Sequence, residues 1–268
     1  MSVYIVASDL SPRSDRAVAR ALMLAAAHDA DLVLAHFDPR AAPAAAQTLR
    51  ARIAKELAAA ASGLRIDVRV IAAPPETGAP ALAASLGASL LILGDHERHA
   101  LRDLALFTTG ERMLRAAPCP VLVAAAPPAA WRAGLAAVDF STACEIAVIA
   151  ASRLAPGMPV DAIHAVHVLG GGRGDHDGPR AAAIAEAKAR MAAFDARPAM
   201  PPFRRTIVAE GGVRAAIRAA IRGDHGEGGH DLLILGAHGH SRLRDFALGS
   251  AAHDMARDPP CDLLIARD

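Results

Sequence analysis

One succession of short apolar runs and helix-patterned stretches occurs twice in this 268-residue chain. That duplication limits the folds open to it more than any single residue does. In the first half, residues 3–7, 31–37, 67–73, 90–93 and 121–125 read as short buried strands, apolar and bounded by turn-forming residues. Residues 14–28, 44–62, 80–86 and 108–115 between them carry helical patterning, the second with Arg50, Arg52, Lys55 and Glu56 on a solvated face. A parallel strand pair needs a long crossover, so strands alternating with helices at this spacing predict βαβ units of right-handed connection. Five strands in about 125 residues make one doubly wound α/β domain, flavodoxin-like or Rossmann-like.

After Pro127-Pro128, a stiff and donor-poor connector, the order begins again. Residues 134–138 leading to Asp139 match residues 3–7 leading to Asp9, residues 164–168 match 34–37, and residues 232–236 match 90–94. The run Ala117-Pro118-Cys119-Pro120-Val121 matches Pro259-Pro260-Cys261-Asp262-Leu263. Asp139 lies 130 positions after Asp9 and Gly236 lies 142 after Gly94, so the second half has gained 12 residues between them. The Gly-rich runs 170–178 and 223–230 are where the additions are expected. The prediction is two tandem domains, 1–127 and 128–268, each a five-stranded, mainly parallel sheet flanked by helices.

A hydrophobic fraction of 53% supports real cores, while a net charge of +1 and an aromatic fraction of 3% argue against nucleic acid as a partner. Cys119, Cys144 and Cys261 form no CxxC pair and suit a reducing compartment. The first residues lack a basic n-region, and the longest apolar stretch, 79–94, is broken by Pro80, Ser85, Gly87 and Ser89. These features predict a cytoplasmic protein that does not enter a membrane.

The richest chemistry lies at 236–250. Gly236 and Gly239 follow the apolar run 231–235, and Gly249-Ser250 opens a helical stretch at 251–257. Closely spaced glycines at a strand end let backbone N–H groups approach a ligand, and Gly-Ser at a helix start adds free amides, a hydroxyl and the positive end of the dipole. The spacing Gly-x2-Gly-x9-Gly-Ser, with the Pro-Pro-Cys-Asp-Leu-Leu-Ile ending, resembles the ATP-binding members of the universal stress protein family. The first half keeps only Gly94 of the three glycines: at the offset of 142, Glu97 stands opposite Gly239, Phe107 opposite Gly249 and Thr108 opposite Ser250. A Phe would resist a positive φ and fill phosphate space, and Thr108-Thr109-Gly110-Glu111 reads as a capping box. The intact motif is therefore expected only in the second domain.

The resemblance implies adenine nucleotide, ATP with its Mg2+, bound by Asp139, Val168, Gly236, Gly239, His240, Ser241, Gly249, Ser250 and Ala251. Asp139 would contact the nucleoside end and Val168, closing the second strand, would lie beside the adenine; Asp9 and Phe37 are their first-half counterparts. Asp139 before Ser141-Thr142 also suits a plain helix cap. The resemblance further implies a regulatory, stress-response module with a protein partner, the first domain serving as scaffold. It also implies a pseudo-dimer formed by pairing 121–125 with 263–267, with a further homodimer open to it. No nucleophile elbow is present, so no catalytic residue is assigned. The alternatives are slow ATP hydrolysis or autophosphorylation on Ser241 or Ser250, and a nucleotide-free scaffold.

Other candidates are weaker. The run 170–178 lacks the Lys-Ser/Thr of a phosphate loop and reads as a surface loop. His225, His230, His238, His240 and Asp175-His176-Asp177 match no zinc spacing, and loop histidines are commonly exposed. Cys119 and Cys261 read as core residues, and Cys144, near a helix start, as structural.

Overall fold

The computed structural model describes residues 2–12, 14–61, 63–95, 109–166, 177–224, 228–237 and 248–268. The chain divides into two compact units, Met1–Ala129 and Ala130–Asp268. The N-terminal unit runs β1 (Val3–Ala7), α1 (Ser14–His28), β2 (Asp31–Phe37), α2 (Pro43–Ala60), β3 (Ile66–Ile71), α3 (Pro75–Ser85), β4 (Leu90–Gly94), α4 (Thr109–Ala116) and β5 (Val121–Ala124). The C-terminal unit runs β6 (Gly134–Ala137), α5 (Thr142–Leu154), β7 (Val160–Val166), α6 (Asp177–Asp195), β8 (Arg205–Glu210), α7 (Val213–Arg222), β9 (Leu232–Gly236), α8 (Ser250–Arg257) and β10 (Asp262–Ala266).

Within the first unit the strands lie in the order β3-β2-β1-β4-β5, and within the second β8-β7-β6-β9-β10. The pairs within each unit are parallel. This is the α/β, doubly wound arrangement that the alternation predicts, with the order reversing beside the first strand of each unit. The central strands are buried on both faces: Leu90 to Leu93 and Leu232 to Leu235 are each at most 2% exposed, which is why they read as unbroken apolar runs.

Helix α3 departs from the expected 80–86. It begins five residues earlier, with Pro75 at its first position and Pro80 inside it. A proline at the first position forfeits an N–H that no helical carbonyl would accept, so the Pro74-Pro75 pair starts a helix rather than delaying one. The connector is also less free than its prolines suggest. Arg20, 1% exposed on α1, donates to the carbonyls of Pro127 (3.2 Å) and Ala129, and Arg16 donates to that of Ala125 (3.1 Å).

Sheet register aligns the units more finely than sequence matching does. Tyr4 pairs with Leu32 and Leu90, and Gly134 pairs with Val160 and Leu232, so Leu32 corresponds to Val160 and His36 to His164. Both histidines place Nδ1 against a backbone carbonyl closing the first strand, His36 on Ser8 O (2.9 Å) and His164 on Val138 O (2.8 Å). A carbonyl only accepts, so each Nδ1 carries the proton. The residue equivalent to Phe37 is then Ala165, three positions before Val168. The same register, Leu32 with Ile66 and Asp161 with Arg205, shows that the gain is not confined to the Gly-rich runs. Part of it falls in 196–203, between α6 and β8, where the N–H of Phe203 donates to Asp195 (3.0 Å).

The turn after the first strand takes the same strained form in both units. Leu10 (φ 62°) and Phe140 (φ 66°) sit in the left-handed region between an Asp and a Ser. Asp9 Oδ1 accepts the Ser11 N–H and Asp139 Oδ1 that of Ser141, each at 3.0 Å. Phe140 offsets its strain by packing against His164, Phe194 and the Arg190 guanidinium. Leu10 is 37% exposed. Leu10→Gly is therefore expected to raise stability by about 1 kcal/mol, since glycine adopts this conformation without the Cβ penalty; a lowered urea midpoint would show that Leu10 packs more than its strain costs.

Candidate functional site

The ends of β6, β7 and β9 in the C-terminal unit, with the starts of α7 and α8, enclose a cavity of about 210 Å³. It lies at the carboxyl ends of the strands, where open α/β sheets bind ligands. Its walls are mostly small or apolar: Ala137, Val138, Ile163, Ala165 and Leu235 from the strands, Val213, Ala216 and Ile217 from α7, and Ala252 from α8. His164 also lines it, and Asp139, Gly236, Gly249, Ser250 and Ala251 gather at the same cavity from three separate stretches of sequence. Four of the residues named from the sequence, Val168, Gly239, His240 and Ser241, lie outside the described residues.

Asp139 is not itself the helix cap that its sequence context suggests. Its Oδ1 accepts from the Ser141 N–H (3.0 Å) and hydroxyl (2.6 Å), and the Ser141 Oγ in turn accepts the Cys144 N–H (3.1 Å) to cap α5. Ser141 is the cap and Asp139 orients it. The other carboxylate oxygen has no hydrogen-bond partner among the described residues, and Asp139 lines the cavity.

Gly236 is required by packing before any ligand is considered. A Cβ there would lie 2.7 Å from Cys144 N and 3.1 Å from both Ala143 C and Cys144 Cα, all backbone of the first turn of α5. Gly249 differs from expectation: its φ is −57° and ψ 149°, an extended conformation that any residue adopts, so the argument that Phe107 is excluded from the matching position by a positive φ does not hold. Gly249 lines the cavity and makes two backbone bonds, its N–H to Ala237 O (2.7 Å) and its carbonyl from the His253 N–H (2.8 Å).

Helix α8 starts without a side-chain cap and without an acidic residue in its first turn. The amides of Ser250, Ala251 and Ala252 find no acceptor among the described residues, and Ser250 is exposed. These three helix-start donors and the positive end of the helix dipole therefore lie at the cavity edge, a disposition that favours an anion. The capping box expected for the other unit has its first residue, Thr108, outside the described residues.

The α7 wall was not visible in the sequence. Val213, 45% exposed, stands at the cavity mouth, and Ala216 and Ile217 are 7% and 1% exposed. Periodicity places the latter two on the buried face of an amphipathic helix, but it does not distinguish packing on strands from lining a cavity beside them.

The three cysteines and His230 resolve into structure, while residues 170–176, His225 and His238 lie outside the described residues. Burial pushes the Cys119 thiol up to about 11 and that of Cys261 up to about 12. Burial, reinforced by the Asp139 carboxylate, raises Cys144 to about 12. All three are poor nucleophiles. His230, expected as an exposed loop histidine, is 4% exposed and holds Ala220 O with Nδ1 and Asp161 with Nε2, each at 2.9 Å. Asp161, fully buried near the start of β7 and so at the opposite end of the sheet from the cavity, also takes a bidentate pair from Arg204 (2.8 Å twice) and one bond from Arg205 (2.7 Å). Among the described residues no cluster of three His, Cys, Asp or Glu side chains could hold a metal ion, and no helix is long and apolar enough to cross a membrane.

Comparison with known proteins adds to this geometry. No curated protein matches the sequence. Among solved structures, the chain is similar to a functionally unknown protein from Pseudomonas aeruginosa PAO1, with 20% identity, 99% of this chain and 92% of the other covered, and a TM-score of 0.67. It is likewise similar to a universal stress protein from Archaeoglobus fulgidus DSM 4304, with 14% identity, coverage of 99% and 98%, and a TM-score of 0.63. At these identities the likeness speaks to the fold. The universal stress protein family itself matches twice, over residues 4–125 and 132–267. With a doubly wound α/β unit under each match, the chain belongs to the universal stress protein family and carries two of its domains in tandem.

Proposed function

We propose that this protein is an ATP-binding regulatory member of its family, the C-terminal unit holding the nucleotide with its Mg2+ and the N-terminal unit serving as scaffold. The observation that carries the reading is the convergence on one cavity of Asp139, Gly236, Gly249, Ser250 and Ala251. The apolar interior suits a base, the carboxylate of Asp139 a ribose hydroxyl, and the helix-start amides of α8 a phosphate. Val168, Gly239, His240 and Ser241 complete the set on sequence grounds, with His240, next after the second glycine, as the expected phosphate contact. The role in this reading is binding and signalling to a partner, with slow ATP hydrolysis or autophosphorylation on Ser241 or Ser250 as its alternative.

A ligand held only by the folded state stabilises it by RT ln(1 + [L]/Kd), about 2.7 kcal/mol at a hundredfold excess over Kd. Saturating ATP and Mg2+ should therefore raise the melting temperature of the parent protein. Asp139→Ala should keep the fold, with Ser141 still capping α5, and reduce that shift. An unchanged melting temperature in millimolar ATP would leave the nucleotide reading without support.

A further inference from the structure

The two units differ at one pair of positions in a way that the glycine motif does not describe. In the N-terminal unit, Phe37 closes β2 and its ring lies directly on α3: a Cβ at Gly78 would stand 2.7 Å from Cδ1 and 2.8 Å from Cε1 of that ring. Sheet register makes Ala165 the counterpart of Phe37. Counting from the first residue of each helix, Pro75 and Val213, makes Ala216 the counterpart of Gly78, and their N–H groups bond the equivalent carbonyls, Pro74 O (2.8 Å) and Gly212 O (3.1 Å). Ala165 and Ala216 both line the cavity of the C-terminal unit. The volume taken by a ring against a glycine in one unit is thus left open between two methyl groups in the other.

We infer that this pair is a specificity gate: Ala165 with Ala216 admits a purine-sized ring to the C-terminal unit, and Phe37 on Gly78 excludes one from the N-terminal unit by supplying its own. The inference rests on the nucleotide reading for the identity of the ring, but not for the existence of the gate. A dry apolar recess takes up an aromatic guest of matching size without any polar recognition. The N-terminal unit, opened at Phe37, would accept a nucleoside without gaining the phosphate end.

The test transfers each pair to the other unit in the full-length chain. Ala165→Phe with Ala216→Gly, and separately Phe37→Ala with Gly78→Ala, are titrated with ATP and Mg2+ by calorimetry, and with adenosine and indole by ligand-observed NMR. Ala165→Leu, a smaller filling, serves if the first variant does not fold. The closed variant should lose at least a hundredfold in affinity for both ATP and indole, and the opened variant should gain a second site for adenosine and indole but not for ATP. A closed variant that binds indole as the parent does, or a parent that binds neither probe, overturns the gate. Loss of indole binding in the closed variant, with a parent indifferent to ATP, would keep the gate and sink the nucleotide reading.

Discussion

Asp161→Ala is expected to destabilise the C-terminal unit by about 3 kcal/mol, because it leaves the buried His230 and the partly exposed Arg204 and Arg205 without the carboxylate they share. Asp161 is 0% exposed and accepts from Arg204, Arg205 and His230, and the last of these is itself buried. The carboxylate ties the start of β7 to the residues leading into β8 and β9, so its loss should loosen three strands together. Burial pushes its carboxyl up, but the hydrogen bonds from Arg204, His230 and Arg205 outweigh that and hold it well below the ordinary carboxylate range. A carboxylate whose pKa is depressed on folding contributes stability that is full above its unfolded value, about 3.9, and is lost as pH falls through the folded one. The penalty of the variant should therefore be constant above about pH 5 and shrink as the pH drops below about 4. Arg50→Ala, which breaks the exposed Arg50–Asp67 pair, should shift stability by less than about 1 kcal/mol. Urea unfolding of the three proteins at pH 7 and pH 3 checks this; an Asp161 penalty no larger than that of Arg50, or one that does not move with pH, would remove the buried cluster from the account of stability.

Gly236→Ala should cost about 3 kcal/mol, the upper end of what overpacking usually costs. The atoms a new methyl would meet, Cys144 N at 2.7 Å with Ala143 C and Cys144 Cα at 3.1 Å, belong to a helix backbone that cannot rotate away. Relief requires α5 to lift from β9, which exposes Ala143, Cys144 and Ala147, each at most 2% exposed. Gly249→Ala makes the contrast. With φ −57° it carries no backbone strain, so stability should change by less than about 1 kcal/mol, while ATP affinity should fall because Gly249 lines the cavity that a ligand would fill. If the two variants proved equally stable, the packing role of Gly236 would be wrong; if Gly249→Ala bound ATP like the parent, the glycine would be there for chain geometry alone.

The fold was legible because parallel strands buried on both faces leave unbroken apolar runs, and because the pattern occurs twice. Helix α3 starts at Pro75 rather than at the expected Pro80 because a proline at a first helical position loses nothing, so either proline suits a helix start by sequence. The second-strand alignment was three residues off because apolar strands match one another in several registers; the shared Nδ1 bonds of His36 and His164 fix the right one. Gly236, Gly249 and Ser250 were expected from their spacing and Asp139 from the resemblance, and the four line one cavity, but the reasons behind two glycines were not legible: Gly236 answers to α5, and Gly249 needs no left-handed conformation. Val213, Ala216 and Ala165 left no signal, since alanine and valine look the same on the wall of a cavity as in a filled core. His230 looked like a loop histidine because its partner, Asp161, is 69 residues away.

The most direct test is a calorimetric titration of the full-length protein with ATP and Mg2+. One site per chain, lost in the closed Ala165→Phe, Ala216→Gly variant, is the result that an adenine-nucleotide site in the C-terminal unit predicts. Two sites would show that the Phe37 ring does not exclude a base, and no heat of binding at millimolar ATP would contradict the nucleotide reading itself.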